Sequence, residues 1–313
     1  VTYSDPKMPG NVTERKRIER FSPARFRKAL NNNFEAHIAY EIILEAPEKY
    51  VDLGELLLGQ FDQHDLRRAN GPRSVAATAA VLRHTDDLMK SALARFFDRD
   101  QPYKYPGEMC GLIYKLGPDC RRVRAGCLQE LIDGTFDEDK NKVIAFVIAL
   151  GGVAKGLTTA TDRLMELTYH DNAIIQGNAI TSLGEIAASP DVVVPRLGEL
   201  LATFEEFNPD VDYFGVCCRV AEALSGFGPN AAIVLDTIMK HLITDAELRY
   251  AEKEIDNSVL HLLGHIGPAA ARALPELEKL NNEKAARRHC IELDELNAVI
   301  EAIKGEPYQT PIY

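Results

Sequence analysis

Apolar residues recur along this chain at helical spacing, most plainly from Leu248 to Leu280 (LRYAEKEIDNSVLHLLGHIGPAAARALPELEKL). Ile255, Val259, Leu262, Leu263 and Ile266 fall on one helical face, and after Gly267-Pro268 a second series follows in Leu274, Leu277 and Leu280. The pattern predicts two amphipathic helices joined by a tight corner. Glycine takes up the left-handed conformation just past a helix end, and proline suits the start of the next helix, where its missing N–H would be unbonded anyway. One such hairpin cannot bury its own apolar faces, so neighbours of the same kind are expected.

The chain supplies them. Corners that close a first helix stand at Ile113-Tyr114-Lys115-Leu116-Gly117-Pro118, Leu150-Gly151-Gly152-Val153, Leu183-Gly184-Glu185-Ile186, Leu224-Ser225-Gly226-Phe227-Gly228-Pro229 and Leu263-Gly264-His265-Ile266-Gly267-Pro268, at spacings of 37, 33, 41 and 39 residues. The second helices keep the same register: Cys127, Leu164, Leu197, Ile238 and Leu277 each hold the apolar position 14 residues after the start of a corner. Pro195 and Pro275 precede two of these positions, and inside a helix each would remove one backbone bond and bend it.

Upstream, Phe34 to Ala46 and Glu48 to Phe61 read as an antiparallel helix pair split by Pro47, and Ser74 to Arg83 with Asp87 to Phe97 as the next pair. Asp62 to Arg73 is a polar connection, and Asp98 to Gly107 (DRDQPYKYPG) a proline-rich loop. At the far end, Glu283 to Ile303 predicts a last helix with Ala286, Ile291, Leu296, Val299, Ile300 and Ile303 inward and a polar remainder suited to an open end. The expected organisation is an extended basic arm over 1–22 and a helical array over 23–303, followed by an extended tail over 304–313. Within the array, 23–98 is irregular and 105–303 regular.

Charge changes this picture. The formal net charge is −11, yet residues 1–30 carry eight Lys or Arg against three acids, so the remaining residues carry −16. An acidic body repels phosphate backbones, since nucleic-acid binding draws on cations that displace condensed counterions, and it favours a partner protein or peptide with a basic surface. No apolar run approaches the roughly 20 residues of a membrane span, and no signal-like segment opens the chain; a cytoplasmic location is expected. The six cysteines (110, 120, 127, 217, 218 and 290) form no CxxC pair and sit among apolar residues, which predicts buried, reduced thiols.

At the corners the chain resembles the HEAT-repeat superfamily in its bacterial, phycobilisome-lyase-like form. Asp171-Asn172-Ala173-Ile174-Ile175-Gln176-Gly177-Asn178-Ala179 leading into Ser182-Leu183-Gly184-Glu185-Ile186 is similar to that family's first helix, and Gly267-Pro268-Ala269-Ala270-Ala271 with Pro275 and Leu277 to its corner and second helix. The arginine frequent after the β-branched residue is here Gln176 or Cys217, so a ladder between repeats built on it is interrupted. The resemblance implies an all-α solenoid, a right-handed superhelix of about six to seven antiparallel helix pairs spanning roughly 60 to 70 Å. It also implies a concave surface used mainly to hold proteins.

Catalytic constellations are thin. Deoxyhypusine hydroxylase has a similar length and repeat, but its di-iron site needs His-Glu dipeptides, and none occurs here; HEAT-like DNA glycosylases rely on tryptophan and a basic face, and this chain has no tryptophan. His37, His64-Asp65 and His84 with Asp86 and Asp87 are faintly similar to histidine-aspartate phosphohydrolases, and His261 and His265 stand at i, i+4 without an assigned carboxylate. No cofactor, metal or catalytic residue is therefore assigned. Two loops are richer: Thr203 to Phe214 mixes acids with Phe204, Phe207, Tyr213 and Phe214 beside Glu205 and Glu206, and Tyr103 and Tyr105 mark the proline-rich loop. Their aromatics either close gaps between repeats or meet a basic, partly apolar ligand. The sequence is thus read as a non-catalytic interaction scaffold or adaptor; the competing class is an enzyme on the same solenoid, a bilin lyase or isomerase or a metal-dependent hydrolase.

Overall fold

The computed structural model describes residues 28–30, 33–62, 71–98, 106–203, 213–240, 257–281 and 293–308. Among them there are helices, turns and short connections and no strand. The chain divides into two units, Val1–Val153 and Ala154–Tyr313.

In the first unit α1 (Asn33–Glu45) leads through a 3-10 segment (Pro47–Leu53) into α2 (Gly54–Asp62); α3 (Gly71–Leu82) and α4 (Asp86–Phe97) form the next pair. Then follow α5 (Pro106–Leu116), the short α6 (Asp119–Val123), α7 (Cys127–Gly134) and α8 (Lys140–Val153). Helix α1 packs on α3, α3 on α5 and α5 on α8, so successive first helices stand in a row. The second half of the first pair, expected as one helix, is divided because Tyr50 leaves helical geometry (φ −120°, ψ 19°) before Gly54 restarts it.

The second unit repeats the scheme. A 3-10 turn (Thr158–Ala160) and α9 (Thr161–Leu167) precede α10 (Ala173–Ile186), α11 (Pro190–Thr203) and α12 (Tyr213–Ser225). A 3-10 segment (Gly228–Val234) with helix over 235–240 comes next, then α13 (Asn257–Ile266), a 3-10 segment (Gly267–Ala273), α14 (Leu274–Leu280) and α15 (Leu293–Lys304). Here α9 packs on α10, α10 on α12, α12 on α13 and α13 on α15. Each unit is thus an all-α solenoid row in which a helix meets the one before and the one after it.

The periodic positions are the core. Leu116, Leu150, Leu183, Leu224 and Leu263 of the corners are buried, and so are Cys127, Leu164, Leu197, Ile238 and Leu277 of the second helices. Removing an apolar side chain from water contributes about 25 cal/mol per Å2, and each row gains that only when a neighbouring pair is in place. Gly267 has φ +63° and is followed by Pro268 at the start of its 3-10 segment, as the corner requires. Gly184 serves a different purpose. It lies inside α10, where an added Cβ would stand 2.4 Å from the Cα of Ala223, so its bare backbone lets α12 approach.

Two expectations need correction. Pro195 is inside α11, but Pro275 occupies the first turn of α14, where it removes no intrahelical bond and has no reason to bend the helix. Glu295, assigned by sequence to a polar face, is 1% exposed. The interrupted arginine ladder has a substitute as well: Gln176 donates from Nε2 to the Thr168 carbonyl (2.8 Å). Surface ion pairs also join successive helix pairs, Arg73 to Glu41 (3.0 Å), Arg95 to Glu55 (2.9 Å) and Arg122 to Asp86 (2.7 Å) in the first unit, and Arg272 to Asp236 (2.5 Å) in the second. Being exposed, each contributes at most about 1 kcal/mol. No helix among the described residues is long and apolar enough to cross a membrane.

Gly184→Ala is expected to lower stability by about 2 kcal/mol in urea denaturation, because a helix pair must move apart. Gly156→Ala, at φ +73° with nothing within 4 Å of the added carbon, should cost only about 1 kcal/mol.

Candidate functional site

Most of the residues singled out as partner contacts, Phe204, Glu205, Glu206, Phe207, Tyr103 and Tyr105, lie outside the described residues, as does the His64-Asp65 pair. Tyr213 and Phe214 open α12, with their side chains outside the description. Of the remaining metal candidates, Asp86 is held by Arg122 and Asp87 by Lys90 (3.5 Å), and no group of three or more His, Cys, Asp or Glu is placed to hold a metal among the described residues.

The first unit has a cavity that the sequence reading did not anticipate. Helix α4 ends in Phe96 and Phe97 with Asp98 as its cap, α7 ends in Asp133 and Gly134, the following turn brings Phe136 and Asp137, and α8 contributes Lys142, Ala145 and Phe146. Together they enclose about 200 Å3. Phe96 meets Phe146 edge-on (centroids 5.4 Å apart), Phe97 stacks on Phe146 (6.3 Å, 28° between planes), and Phe96 and Phe97 are edge to face (5.2 Å). Gly134 makes this possible, since a Cβ there would lie 2.5 Å from the Phe146 ring. Phe96 is buried whereas Phe136 is 63% exposed, so the cavity grades from a sealed floor to an aromatic lip.

Charged groups of both signs surround it. Among the described residues Asp98, Asp133, Asp137 and Lys142 line it; the Lys142 ammonium is 3.6 Å from Asp137, whose carboxylate also accepts from the Asp139 N–H (2.9 Å). Asp133 accepts a hydrogen bond from Gln129 (2.8 Å). Helices α4 and α7 both end here, and a helix C-terminus carries partial negative charge. The start of α8 is answered internally, with Asp139 accepting from the Asn141 N–H (2.9 Å). A guanidinium already lies on one of these rings: Arg124 sits 4.5 Å from the Phe97 centroid and is held by Glu130 through two hydrogen bonds (2.7 and 3.2 Å). The signal in the sequence is Phe96-Phe97-Asp98 and Phe136-Asp137, aromatics beside acids at helix ends. Apolar periodicity assigns such residues to the core.

The i, i+4 histidines belong to a structural cluster in the second unit. His261 Nε2 is 2.8 Å from Glu295 Oε1, and its Nδ1 meets the Tyr308 hydroxyl. The imidazole thus stands between the carboxylate and the phenol, one ring nitrogen towards each. Gly264 leaves room for the Tyr308 ring, which packs edge-on against His265 (5.0 Å). Burial, then the neighbouring His261, pushes the His265 pKa down. Carboxylate and tail residue come from α15 and the segment after it, 34 and 47 residues from His261, which is why spacing alone did not assign them.

Two buried thiols are held in their protonated form. Cys110, Cys120 and Cys127 are buried and reduced, and Cys218, also reduced, is partly exposed. Burial, then Cys127 and Asp119, pushes Cys120 up to about 12; burial, then Glu130, pushes Cys127 up to about 11.

No family profile and no curated protein sequence matches this chain. Among solved structures, an engineered protein from the Northeast Structural Genomics Consortium is similar at 16% identity and TM-score 0.46, covering 90% of this chain and 78% of that one. A designed armadillo repeat protein is similar at 16% identity and TM-score 0.43, covering 69% of this chain and 99% of its own. A second engineered protein of that consortium has 14% identity and TM-score 0.40, covering 68% and 96%.

His261→Leu leaves the buried Glu295 carboxylate without its imidazole, and urea denaturation should show a loss of about 3 kcal/mol. The raised thiol pKa values predict negligible reaction of Cys120 and Cys127 with a disulfide reagent in the native protein at neutral pH and prompt reaction in denaturant. The unfolded thiols ionise from their ordinary value of 9.0 while the folded ones do not. Their contribution to stability is therefore complete below that pH and is lost as pH rises towards 11 and 12, which alkaline denaturation measures.

Proposed function

We propose that this chain is a non-catalytic protein-interaction scaffold or adaptor of the HEAT-repeat kind, and that it holds a partner with a basic surface. The observation that carries this reading is the phenylalanine cavity between α4, α7 and α8, where, among the described residues, four aromatic rings meet three carboxylates and one lysine. Aromatic anchors in a recess with charged groups at the edge are the usual make-up of an interaction hot spot. The formal charge of −11 agrees with a basic partner, since complementary charge speeds encounter and suppresses wrong partners. Buried corner leucines and left-handed Gly117, Gly228 and Gly267, each followed by proline, support the HEAT assignment.

A cytoplasmic location is part of the same reading. The 203–214 stretch, with Phe204, Glu205, Glu206, Phe207, Tyr213 and Phe214, is proposed as a further contact, and Tyr103 and Tyr105 as a lesser one.

Co-purification from the native source tests the proposal. Basic proteins should be retained at about 0.1 M salt and released near 1 M, where screening shortens to about 3 Å. Glu205→Lys with Glu206→Lys should reduce that retention several-fold if the 203–214 stretch is a contact. Stoichiometric iron, zinc or manganese in the purified protein, or retention indifferent to salt, would overturn the scaffold reading in favour of a metal enzyme or an apolar partner.

A further inference from the structure

We infer that the slot over Gly264 is a binding site for a phenol, the side chain of a tyrosine, and that the segment after α15 is a strap which keeps the site filled with the chain's own Tyr308. The inference concerns this site alone and does not rest on the scaffold reading. It starts from a break in the pattern of the row. Leu183-Gly184-Glu185-Ile186 and Leu263-Gly264-His265-Ile266 are equivalent corners, and in each the glycine leaves room for a neighbour. At Gly184 the neighbour is a helix, since an added Cβ would stand 2.4 Å from the Ala223 Cα of α12. At Gly264 it is a ring, since an added Cβ would stand 2.6 Å from Cε2 of Tyr308. A packed helix is a permanent cover, whereas one ring on a short segment opens at a small fraction of the cost of unfolding.

The strap is short and lies in solvent. Gly305, with φ +115°, turns the chain off the end of α15, where the N–H groups of Gly305 and Glu306 donate to the carbonyls of Ala302 (3.1 Å) and Glu301 (3.0 Å). Gly305, Glu306 and Pro307 are exposed, and Tyr308 is the first residue after the turn to be partly buried. The slot it enters is made by other elements. Gly264 is the floor, His265 meets the ring edge-on (5.0 Å), and His261 Nδ1 meets the hydroxyl. Glu295 of α15 stands 2.8 Å from His261 Nε2, so the polar end of the slot is fixed from the side away from the strap. Helices α13 and α15 pack on each other and bury Leu260, Leu263, Leu296 and Ile300, so floor and walls stay in place when the ring leaves. A phenol answers both parts, ring over glycine and hydroxyl to imidazole. A plain phenyl ring would fill the same space without the hydroxyl, and a site built around a hydroxyl discriminates against the analogue that lacks it. His261 is 22% exposed, so water can stand in for the hydroxyl and the discrimination is modest.

The test removes the ring from the full chain and supplies it again. Tyr308→Ala should keep a cooperative thermal transition, with its midpoint lowered by about 5 °C. Added 4-methylphenol, the tyrosine side chain in free form, should raise that midpoint and shift the imidazole proton resonances of His261 and His265, with half-saturation at about 5 mM. The resonances are assigned by His261→Gln and His265→Gln. Toluene should bind more weakly by at least about threefold. Gly264→Ala combined with Tyr308→Ala puts a methyl group in the seat and should abolish the 4-methylphenol shifts. The unaltered chain should show none at the same concentration, because Tyr308 holds the seat. Loss of the cooperative transition in Tyr308→Ala would make the ring part of the core and overturn the strap. Toluene binding as well as 4-methylphenol, shifts that survive Gly264→Ala, equal shifts in the unaltered chain, or no saturable shift would each overturn the site. Co-purification of a partner bears on the scaffold reading only, and rescue by 4-methylphenol on this site only.

Discussion

A pair of short helices leaves an apolar stripe uncovered, and in this protein the next pair covers it. The constraint is a nearest-neighbour one: Leu183 and Leu224 are sealed because α10 and α12 lie side by side, and the approach depends on Gly184 having no side chain. Stability in such a row is a sum of local terms, each pair supplying its own cost of ordering and the burial at its two faces. Everything not used in that contact is left to be surface.

The cavity in the first unit follows from this economy. Where α4 and α7 end and α8 begins, the regular stripe runs out, and Phe97, Phe136 and Phe146 form a partly open cluster. Gly134 admits the Phe146 ring in the way that Gly184 admits a helix. Asp98 and Asp133 lie beside it at helix C-terminal ends, and Asp137 in the turn that follows. The recess is therefore a by-product of solenoid geometry.

The second unit uses comparable chemistry for a different end. His261, Glu295 and Tyr308 bring together α13, α15 and the segment after it, with the imidazole between a buried carboxylate and a half-buried phenol. Cys120 and Cys127 are also structural, since burial keeps them protonated and poor as nucleophiles.

Periodicity in the sequence determined the helices, the corners and most of the core, because helical spacing of apolar residues and Gly-Pro breaks are local properties that survive without knowledge of the neighbours. It correctly marked Cys127, Leu164, Leu197, Ile238 and Leu277 as equivalent buried positions. Only the tertiary structure decided that Glu295 faces inward, that Gly184 is a point of approach inside a helix, and that Phe97, Phe136 and Phe146 share one recess. Those facts concern residues brought together from different helices, and no local period records which helix end will lie beside which.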